Sequence, residues 1–597
     1  MSVSERNLKP YLAGGGFIID DAPPEAVATP EDFTEEQRMF AETTRDFIES
    51  EVLPHDERLE KLNYELTVKL MRKAGELGLL GADVPEAYGG LGLDKISSTI
   101  INENLAKASS FALSIGAHVG IGTLPIVFFG SKEQKEKYLP ALATGEKIAA
   151  YCLTEPASGS DALGAKTTAR LSSDGKHYIL NGSKIYITNG GFADVYIVYA
   201  KIDGTDFSAF ILERGMEGFT TGPEEKKMGI KGSSTVPLYF EDVHVPVENL
   251  LGEPGRGHVI AFNILNIGRF KLAAGTVGAC KESIALSAAY ANTRQQFGRP
   301  ISSFPLIGAK LADMNVRTYA LESMVYRTAG LINDSLAGLD YNAPDAGRES
   351  ARGIAEYAIE CSINKVFASE ALDFVADEGV QIHGGYGYVQ EYKIERIYRD
   401  SRINRIFEGT NEINRMLIPG TLLKKALKGE LPLLQKAQEF QSELLSFSPP
   451  ASFEGALEQE AHLVRTMKKI FLLVGGAAVQ KYGMNLEKEQ EALSALADVM
   501  ILAYAAESAL LRTKKRIAAA GEAKAQLAIL MTRVYAQEAF DAIEGLAKRQ
   551  LAAMEEGDAL RTMLSALKKL ARHQPINATA LKREIAARVV DSEKYVD

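Results

Sequence analysis

Tyr178-Ile179-Leu180-Asn181-Gly182-Ser183-Lys184-Ile185-Tyr186-Ile187 decides the fold class, because it interrupts a chain otherwise patterned for helices. β-Branched and aromatic residues flank Asn-Gly, the pair that supplies the positive φ angles of a type I′ turn. This pattern predicts a β-hairpin within a small antiparallel β domain. Val195-Tyr196-Ile197-Val198-Tyr199 and Val236-Pro237-Leu238-Tyr239-Phe240 carry the same strand vocabulary, which holds over 149–247.

Working outward, Thr34-Glu35-Glu36-Gln37 has capping-box form ahead of Phe40, Phe47 and Ile48 at helical spacing. Helical character continues at 66–80, 100–107 and 133–142, broken by Gly89-Gly90 and Gly130, and stops near Gly145. On the other side it returns at 257–299, 303–335 and 347–379, the last two divided by Tyr341-Asn342-Ala343-Pro344. Past Pro432 and Ser446-Phe447-Ser448-Pro449-Pro450, an Ala/Leu/Glu/Lys-rich region predicts a separate helical appendage. The expected fold is mainly α with a middle antiparallel β domain. Its expected divisions are a lead (1–33), an N-terminal helical domain (34–148), the β domain (149–250), a helical catalytic domain (251–428), a linker (429–453) and a C-terminal extension (454–597).

The 597 residues suggest roughly four packing units. With 46% hydrophobic and 24% charged residues the balance is that of a soluble globular chain. A net charge of −11 argues against non-specific nucleic-acid binding, which needs a basic face. Cys152, Cys280 and Cys361 have no metal or disulfide spacing, so no metal is expected and a reducing compartment is. The start Met1-Ser2-Val3-Ser4-Glu5-Arg6 and the glycine-rich Tyr11–Gly16 stretch make no export signal. The apolar run 470–479 is too short to cross a bilayer, so a cytoplasmic location without a transmembrane segment is expected.

Five segments offer chemistry. Tyr151-Cys152-Leu153-Thr154-Glu155-Pro156-Ala157-Ser158-Gly159-Ser160-Asp161 concentrates hydroxyls and small residues that suit a flavin ring or a phosphate, or form an ordinary strand exit. Tyr186-Ile187-Thr188-Asn189-Gly190-Gly191 sets an aromatic beside a hydroxyl, or is a strand with a half-buried tyrosine. Arg294-Gln295-Gln296-Phe297-Gly298-Arg299 offers guanidinium groups to a pyrophosphate, or simply favours a helix C-terminus. Gln381-Ile382-His383-Gly384-Gly385-Tyr386-Gly387 lacks the third glycine and preceding strand of a Rossmann site; it permits close backbone approach to a dinucleotide or marks a helix stop at Gly384. In Arg396-Ile397-Tyr398-Arg399-Asp400-Ser401-Arg402-Ile403-Asn404-Arg405-Ile406-Phe407-Glu408-Gly409-Thr410-Asn411-Glu412, a carboxylate between Phe407 and Gly409 is placed for desolvation, which raises its pKa toward that of a general base. A lone glutamate is more often a surface charge, and the arginines read equally as a solvated face partnered by Glu395 and Asp400.

Taken in order, these segments resemble the acyl-CoA dehydrogenase family over about 34–419. Lys227-Met228-Gly229-Ile230-Lys231, Leu265-Asn266-Ile267-Gly268-Arg269-Phe270 and the C-terminal extension look most like its very-long-chain branch. The resemblance implies the family's fold of helical N-domain, β domain and four-helix bundle. It implies FAD held by Tyr151, Leu153, Thr154, Ser160, Tyr186, Thr188, Thr410 and Glu412 of one subunit, with Arg294, Gln296, Gln381, Gly384 and Gly385 reaching across a subunit interface, hence a homodimer. Ser160, Asn266, Arg269 and Gly409 match substrate-side positions. Glu408 is implied as the base that removes the α proton of an acyl-CoA while the β hydrogen leaves as hydride to flavin N5, giving a trans-2-enoyl-CoA.

Some relatives carry their base immediately before the helix arginine; here that position is Gly268, which favours Glu408. The implied role is an oxidoreductase of fatty acid β-oxidation, acting on long chains and passing electrons to an electron-transferring flavoprotein. Medium-chain specificity, an acyl-CoA oxidase and a non-enzymatic assembly protein of the same fold are the alternatives. Gly116, Gly120 and Gly122 offer room for an acyl tail or for close helix packing. The extension packs as core or contacts a membrane peripherally through an amphipathic helix.

Overall fold

The computed structural model describes residues 9–341, 343–446 and 452–597. The charged start at 1–6, Asn342 of the expected turn and residues 447–451 of the expected linker lie outside the described residues.

The N-terminal helices are α1 (Glu35–Phe47), α2 (Asp56–Glu60), α3 (Tyr64–Glu76), α4 (Lys95–Leu105), α5 (Ser110–Gly116), α6 (Leu124–Phe129) and α7 (Lys132–Thr144). The capping box is present: Gln37 N donates to Thr34 Oγ1 (3.2 Å) and Thr34 N to Gln37 Oε1 (3.1 Å), so two otherwise unpaired helix-start donors are satisfied. Between α5 and α6, Ala117–Thr123 widens into a π-helical stretch, a form that recurs at functional sites.

The sheet comprises β1 (Ala149–Cys152), β2 (Thr168–Leu171), β3 (His177–Thr188), β4 (Val195–Ile202), β5 (Asp206–Glu213), β6 (Phe219–Thr221), β7 (Thr235–Pro246) and β8 (Leu250–Leu251). Its order is β6-β7-β3-β2-β4-β5-β8, with β1 alongside β4. The sheet is mixed rather than purely antiparallel, since β1 and β2 both run parallel to β4. β4 is buried on both faces. Val195, Ile197 and Tyr199 enter the core shared with the bundle, whereas Tyr196, Val198 and Ala200 enter the core of the N-terminal helices. A strand buried on both faces needs a continuous apolar run, which is what 195–200 provides.

The expected hairpin at Asn181-Gly182 is corrected by the structure: β3 is one continuous strand, and Asn-Gly forms a bulge where its register against β7 shifts between Leu180 and Gly182. Asn181 and Asp242 seal the bulge through two side-chain bonds of 2.9 and 3.0 Å. A Cβ on Gly182 would lie 2.6 Å from Thr167 Oγ1, so the glycine serves close strand approach instead of a turn. The sharp reversal lies further on, between β4 and β5, where Asp203 and Gly204 take φ of 50° and 79°.

The C-terminal half is helical: α8 (Gly257–Thr293), α9 (Pro305–Leu336), α10 (Ala346–Glu356), α11 (Ala358–His383), α12 (Lys393–Ser401), α13 (Asn411–Leu427), α14 (Leu433–Ser446), α15 (Glu458–Tyr482), α16 (Gln490–Ala520), α17 (Gln526–Met554), α18 (Gly557–Leu570) and α19 (Ala578–Ser592). α8 and α11 form the centre of the bundle, with α9 and α13 packed beside them.

Three expectations change here. Arg294–Arg299 does not simply end the helix: Gln295–Gln296 and Arg299–Pro300 pair as a short hairpin, β9 and β10, across Phe297-Gly298. The expected linker 429–453 contains the helix α14. The extension is not a separate appendage, because α16 packs on α9 and α13 and α19 on α9, and its apolar residues join the bundle's core. The burial that stabilises these helices is therefore shared with the bundle. The lead is also bound: Gly15 N donates to Glu360 Oε1 (2.6 Å), and Glu31 pairs with Arg512 (2.8 Å).

Two stretches, Ser110–Phe129 and Gln490–Ala520, are long and apolar enough to cross a bilayer, and both are mostly buried within the protein. Their apolar character is that of core helices wrapped on all sides.

Candidate active site

Glu408 sits in a tight turn between a 3₁₀ turn at Arg402–Arg405 and the start of α13. Its φ is 59° and that of Gly409 is 77°. For glutamate this left-handed conformation costs about 1–3 kcal/mol, so it persists only where its surroundings enforce it. Here they hold successive carbonyls. Arg269 Nε donates to Glu408 O (3.1 Å), Lys365 Nζ to Gly409 O (2.7 Å), and Asn414 Nδ2 to Gly409 O (2.9 Å) and Thr410 O (3.0 Å). Thr410 Oγ1 caps α13 by accepting from Ile413 N (3.3 Å).

The turn aims the carboxylate at α8. A Cβ on Gly268 would fall 2.5 Å from Glu408 Oε2 and 2.8 Å from its Cδ, so the glycine makes the space that the carboxylate fills. Among the described residues, Oε2 is buried and has no hydrogen-bond partner. Burial pushes the Glu408 pKa up to about 7, against the opposing pull of Arg269 and Lys365. Arg269 spends its Nε on the backbone of Glu408 and its Nη1 on Asn266 Oδ1 (3.3 Å), leaving the carboxylate unpaired. An unpaired, desolvated carboxylate near neutrality is the state a proton-abstracting base requires. Among the described residues, the Glu408 backbone N–H has no acceptor.

The carboxylate faces a cavity of about 1440 Å³. From the sheet side Tyr151, Leu153, Thr154, Ser160, Tyr186 and Thr188 line it; from the helical side come Asn266, Arg269, Gly409 and Thr410. Tyr151 Oη is buried without a partner among the described residues, and its ring packs edge-on against Tyr199 at 5.3 Å. Tyr186 takes a φ of 61° and is 62% exposed, which turns its ring outward from the strand. The 151–161 loop is built from below: Glu155 pairs with the fully buried Lys184 at 2.7 Å and accepts from Thr167 N at 3.1 Å. Gly116 and Gly120 line the cavity, with nothing within 4 Å of a Cβ at Gly116. Gly122 does not; its Cβ would meet that of Ala149 at 2.7 Å, which makes it a packing glycine.

Six expected cofactor residues lie off this wall. Glu412 is exposed on the first turn of α13. Arg294 and Gln296 stand on the exposed β9 hairpin, and Gln381, Gly384 and Gly385 are exposed where α11 ends. The last two groups are neighbours, since Arg294 lies 5.4 Å from the Tyr386 ring centroid. Gly384, with φ 59°, stops the helix. Of the expected arginine partners, Glu395 does pair with Arg399 (2.7 Å). Asp400, however, is largely enclosed and accepts from Ile230 N, with burial raising its pKa to about 7.

Lys365 and Asn414 went unread in the sequence. Lys365 was legible in principle, as a cation inside the apolar helical run Ile363-Asn364-Lys365-Val366-Phe367, where an unpaired charge is too costly to bury. Asn414 gave no signal, because its role exists only once α13 folds back over the turn.

The chain is similar to known proteins along most of its length. Family models for the N-terminal, middle and C-terminal domains of acyl-CoA dehydrogenases match residues 34–146, 150–243 and 255–423, and a further acyl-CoA dehydrogenase C-terminal domain matches 466–569. A probable acyl-CoA dehydrogenase of Bacillus subtilis is 61% identical over 98% of both chains. The human very long-chain specific acyl-CoA dehydrogenase is 40% identical over 74% of this chain and 69% of its own. The crystal structure of an acyl-CoA dehydrogenase complexed with FAD from Bacillus anthracis superimposes with a TM-score of 0.97 at 59% identity, covering 98% of this chain and all of that one.

Proposed function

Because the chain belongs to the acyl-CoA dehydrogenase family, we infer that it oxidises an acyl-CoA thioester across its α and β carbons, with Glu408 as the base. The carrying observation is the Glu408 carboxylate, held with its Oε2 unpaired against Gly268, near neutrality, on a large cavity. Proton abstraction from carbon next to a thioester leaves the C–H electron pair on the substrate, so negative charge grows on the thioester oxygen. The unpartnered Glu408 N–H is the donor suited to that charge. Glu408 keeps the α proton, the β hydrogen departs with its electron pair, and a trans-2-enoyl thioester remains. Arg269, Lys365 and Asn414 hold the base's backbone while its side chain stays free to take the proton.

The two-electron acceptor is FAD, which when bound supplies the acceptor for that hydride. The donor set fits it: the partnerless Tyr151 hydroxyl and the hydroxyls of Thr154, Ser160 and Thr188 on the sheet side, with that of Thr410 on the helical side, can take a polar ring edge and a ribityl chain. Arg294, Gln296, Gln381, Gly384 and Gly385 lie on the outer surface beside the exposed Phe297 and Tyr388, which favours their meeting FAD across a homodimer interface.

We extend the reading to long-chain substrates of fatty acid β-oxidation, supported by Gly116 and Gly120 on the cavity wall, and to an electron-transferring flavoprotein as acceptor. The three buried, unpaired cysteines fit a reducing, cytoplasmic setting. Anaerobic titration of the purified holoprotein with a C4–C18 acyl-CoA series tests the whole. Bleaching of the flavin, fastest with long chains, is expected. Bleaching by no acyl-CoA would leave an assembly protein of the same fold, a maximum at middle lengths a medium-chain enzyme, and hydrogen peroxide formed under air at the full reductive rate an oxidase.

A further inference from the structure

The turn that carries Glu408 is connected to the C-terminal extension by an unbroken set of charged hydrogen bonds. Asp498 on α16 accepts from Arg415 Nε at 2.7 Å. Arg415, on α13, grips Glu370 with both terminal nitrogens, at 2.8 and 3.0 Å. Glu370 Oε1 accepts from Asn411 Nδ2 at 3.0 Å, and Asn411 Oδ1 accepts from Lys365 Nζ at 2.7 Å. Lys365 in turn holds Gly409 O at 2.7 Å, next to the base.

Each link constrains the next. The Asn411 amide cannot be reversed, since that would point its NH₂ at the Lys365 ammonium and its oxygen at the Glu370 carboxylate. Lys365 is fully buried, which lowers its pKa to about 7, so its amino group has no bulk water to turn to when it loses this alignment. The planar fork of Arg415 is held in one orientation by carboxylates on both of its edges, and one of these comes from the extension. Asn411 and Arg415 are four residues apart on α13 and therefore share a face.

We propose that Asp498 and Arg415 are positioning residues for the reaction: through Glu370, Asn411 and Lys365 the extension holds the Glu408-Gly409 turn in its left-handed conformation. The extension is then part of the active-site architecture, and its seat on α13 tunes the base. The catalytic part of this inference rests on the acyl-CoA reading; the structural part does not.

The test is amide hydrogen exchange over 406–414 in the full-length holoprotein, alongside anaerobic flavin reduction by acyl-CoA. Asp498→Asn is expected to speed exchange in the turn about tenfold, the scale of one hydrogen bond to a charged group, and to slow flavin reduction several-fold with FAD content unchanged. Asp498→Glu is expected to restore both. Lys365→Met is expected to have the larger effect, and adding Asp498→Asn to it no more, because the two act in series. Lys582→Met breaks another contact between extension and bundle, the 2.7 Å pair with Asp313, and should leave the turn unchanged. Unaltered exchange in Asp498→Asn, or effects that add fully in the double variant, would overturn the proposal. If exchange follows the expected pattern but no acyl-CoA reduces the wild-type flavin, the positioning network stands and the acyl-CoA reading falls.

Discussion

Gly268 and Glu408 occupy one volume between them: a Cβ on the helix residue would lie 2.5 Å from the Oε2 of the turn residue. The side chain missing from α8 is the room in which the Glu408 carboxylate stands. Gly268→Ala should therefore displace the carboxylate rather than unfold the helix, where alanine is the better former. A loss of about 10²-fold in the rate of flavin reduction is expected, as for an ångström of misplacement, with bound FAD retained. Stopped-flow reduction at saturating acyl-CoA measures it, and an unchanged rate would mean that the carboxylate works from elsewhere.

The second expectation concerns pH. Burial raises the Glu408 pKa to about 7, and only the ionised carboxylate accepts a proton. The second-order rate constant for reduction of the free holoenzyme should climb as pH rises from 5 to 9, with a midpoint near 7. Glu408→Gln should abolish this dependence and slow reduction by about 10²–10⁴-fold, the usual scale for a general base. A mutant profile that still rises through pH 7 would assign the ionisation to another group.

Chain length should respond to Gly116. Space around its Cβ is open and faces the cavity, so Gly116→Leu is expected to fold normally, lower turnover of C16 thioester more than tenfold and spare the C4 thioester. Gly122→Ala serves as the contrast, because its methyl meets Ala149 at 2.7 Å. It should cost about 1–3 kcal/mol of stability by overpacking and leave the chain-length profile alone. Equal loss at C4 and C16 in Gly116→Leu would mean that the acyl tail does not pass there.

Stability should also carry a signature from Glu360, whose pKa burial raises to about 7. Its folded pKa lies above the unfolded value of 4.5, so the folded protein binds the extra proton between the two. Its contribution is favourable at low pH and is lost as pH climbs from about 4.5 through 7. Glu360→Gln keeps an acceptor for Gly15 N and removes the titration. It should stabilise the protein at pH 8, by up to roughly 3 kcal/mol, and have little effect at pH 4.5. Thermal melts at the two pH values decide it, and equal shifts at both would assign Glu360 no buried titration.

Local chemistry made much of this molecule legible before any coordinates. Thr34 and Gln37 state a helix start because a capping box needs only four consecutive residues. The apolar run 195–199 states a strand because β-branched and aromatic side chains suit a pleated surface, though its burial on both faces came only with the fold. Glu408 was legible through its neighbours in sequence, as were the hydroxyls at 151–160 and 186–188. What sequence could not decide was where each backbone hydrogen bond goes. Asn181-Gly182 satisfies the rules of a turn and of a bulge alike; the neighbours β2 and β7, supplied by distant parts of the chain, made it a bulge. The extension satisfied the rules of an independent helical unit until α16 closed against α9 and α13. Glu408 itself divides the same way. Sequence placed a carboxylate between an aromatic and a glycine, but its near-neutral pKa, its left-handed backbone and its space against Gly268 arise only when α8, α11 and α13 meet, since desolvation and close contact are properties of packed neighbours and not of a segment.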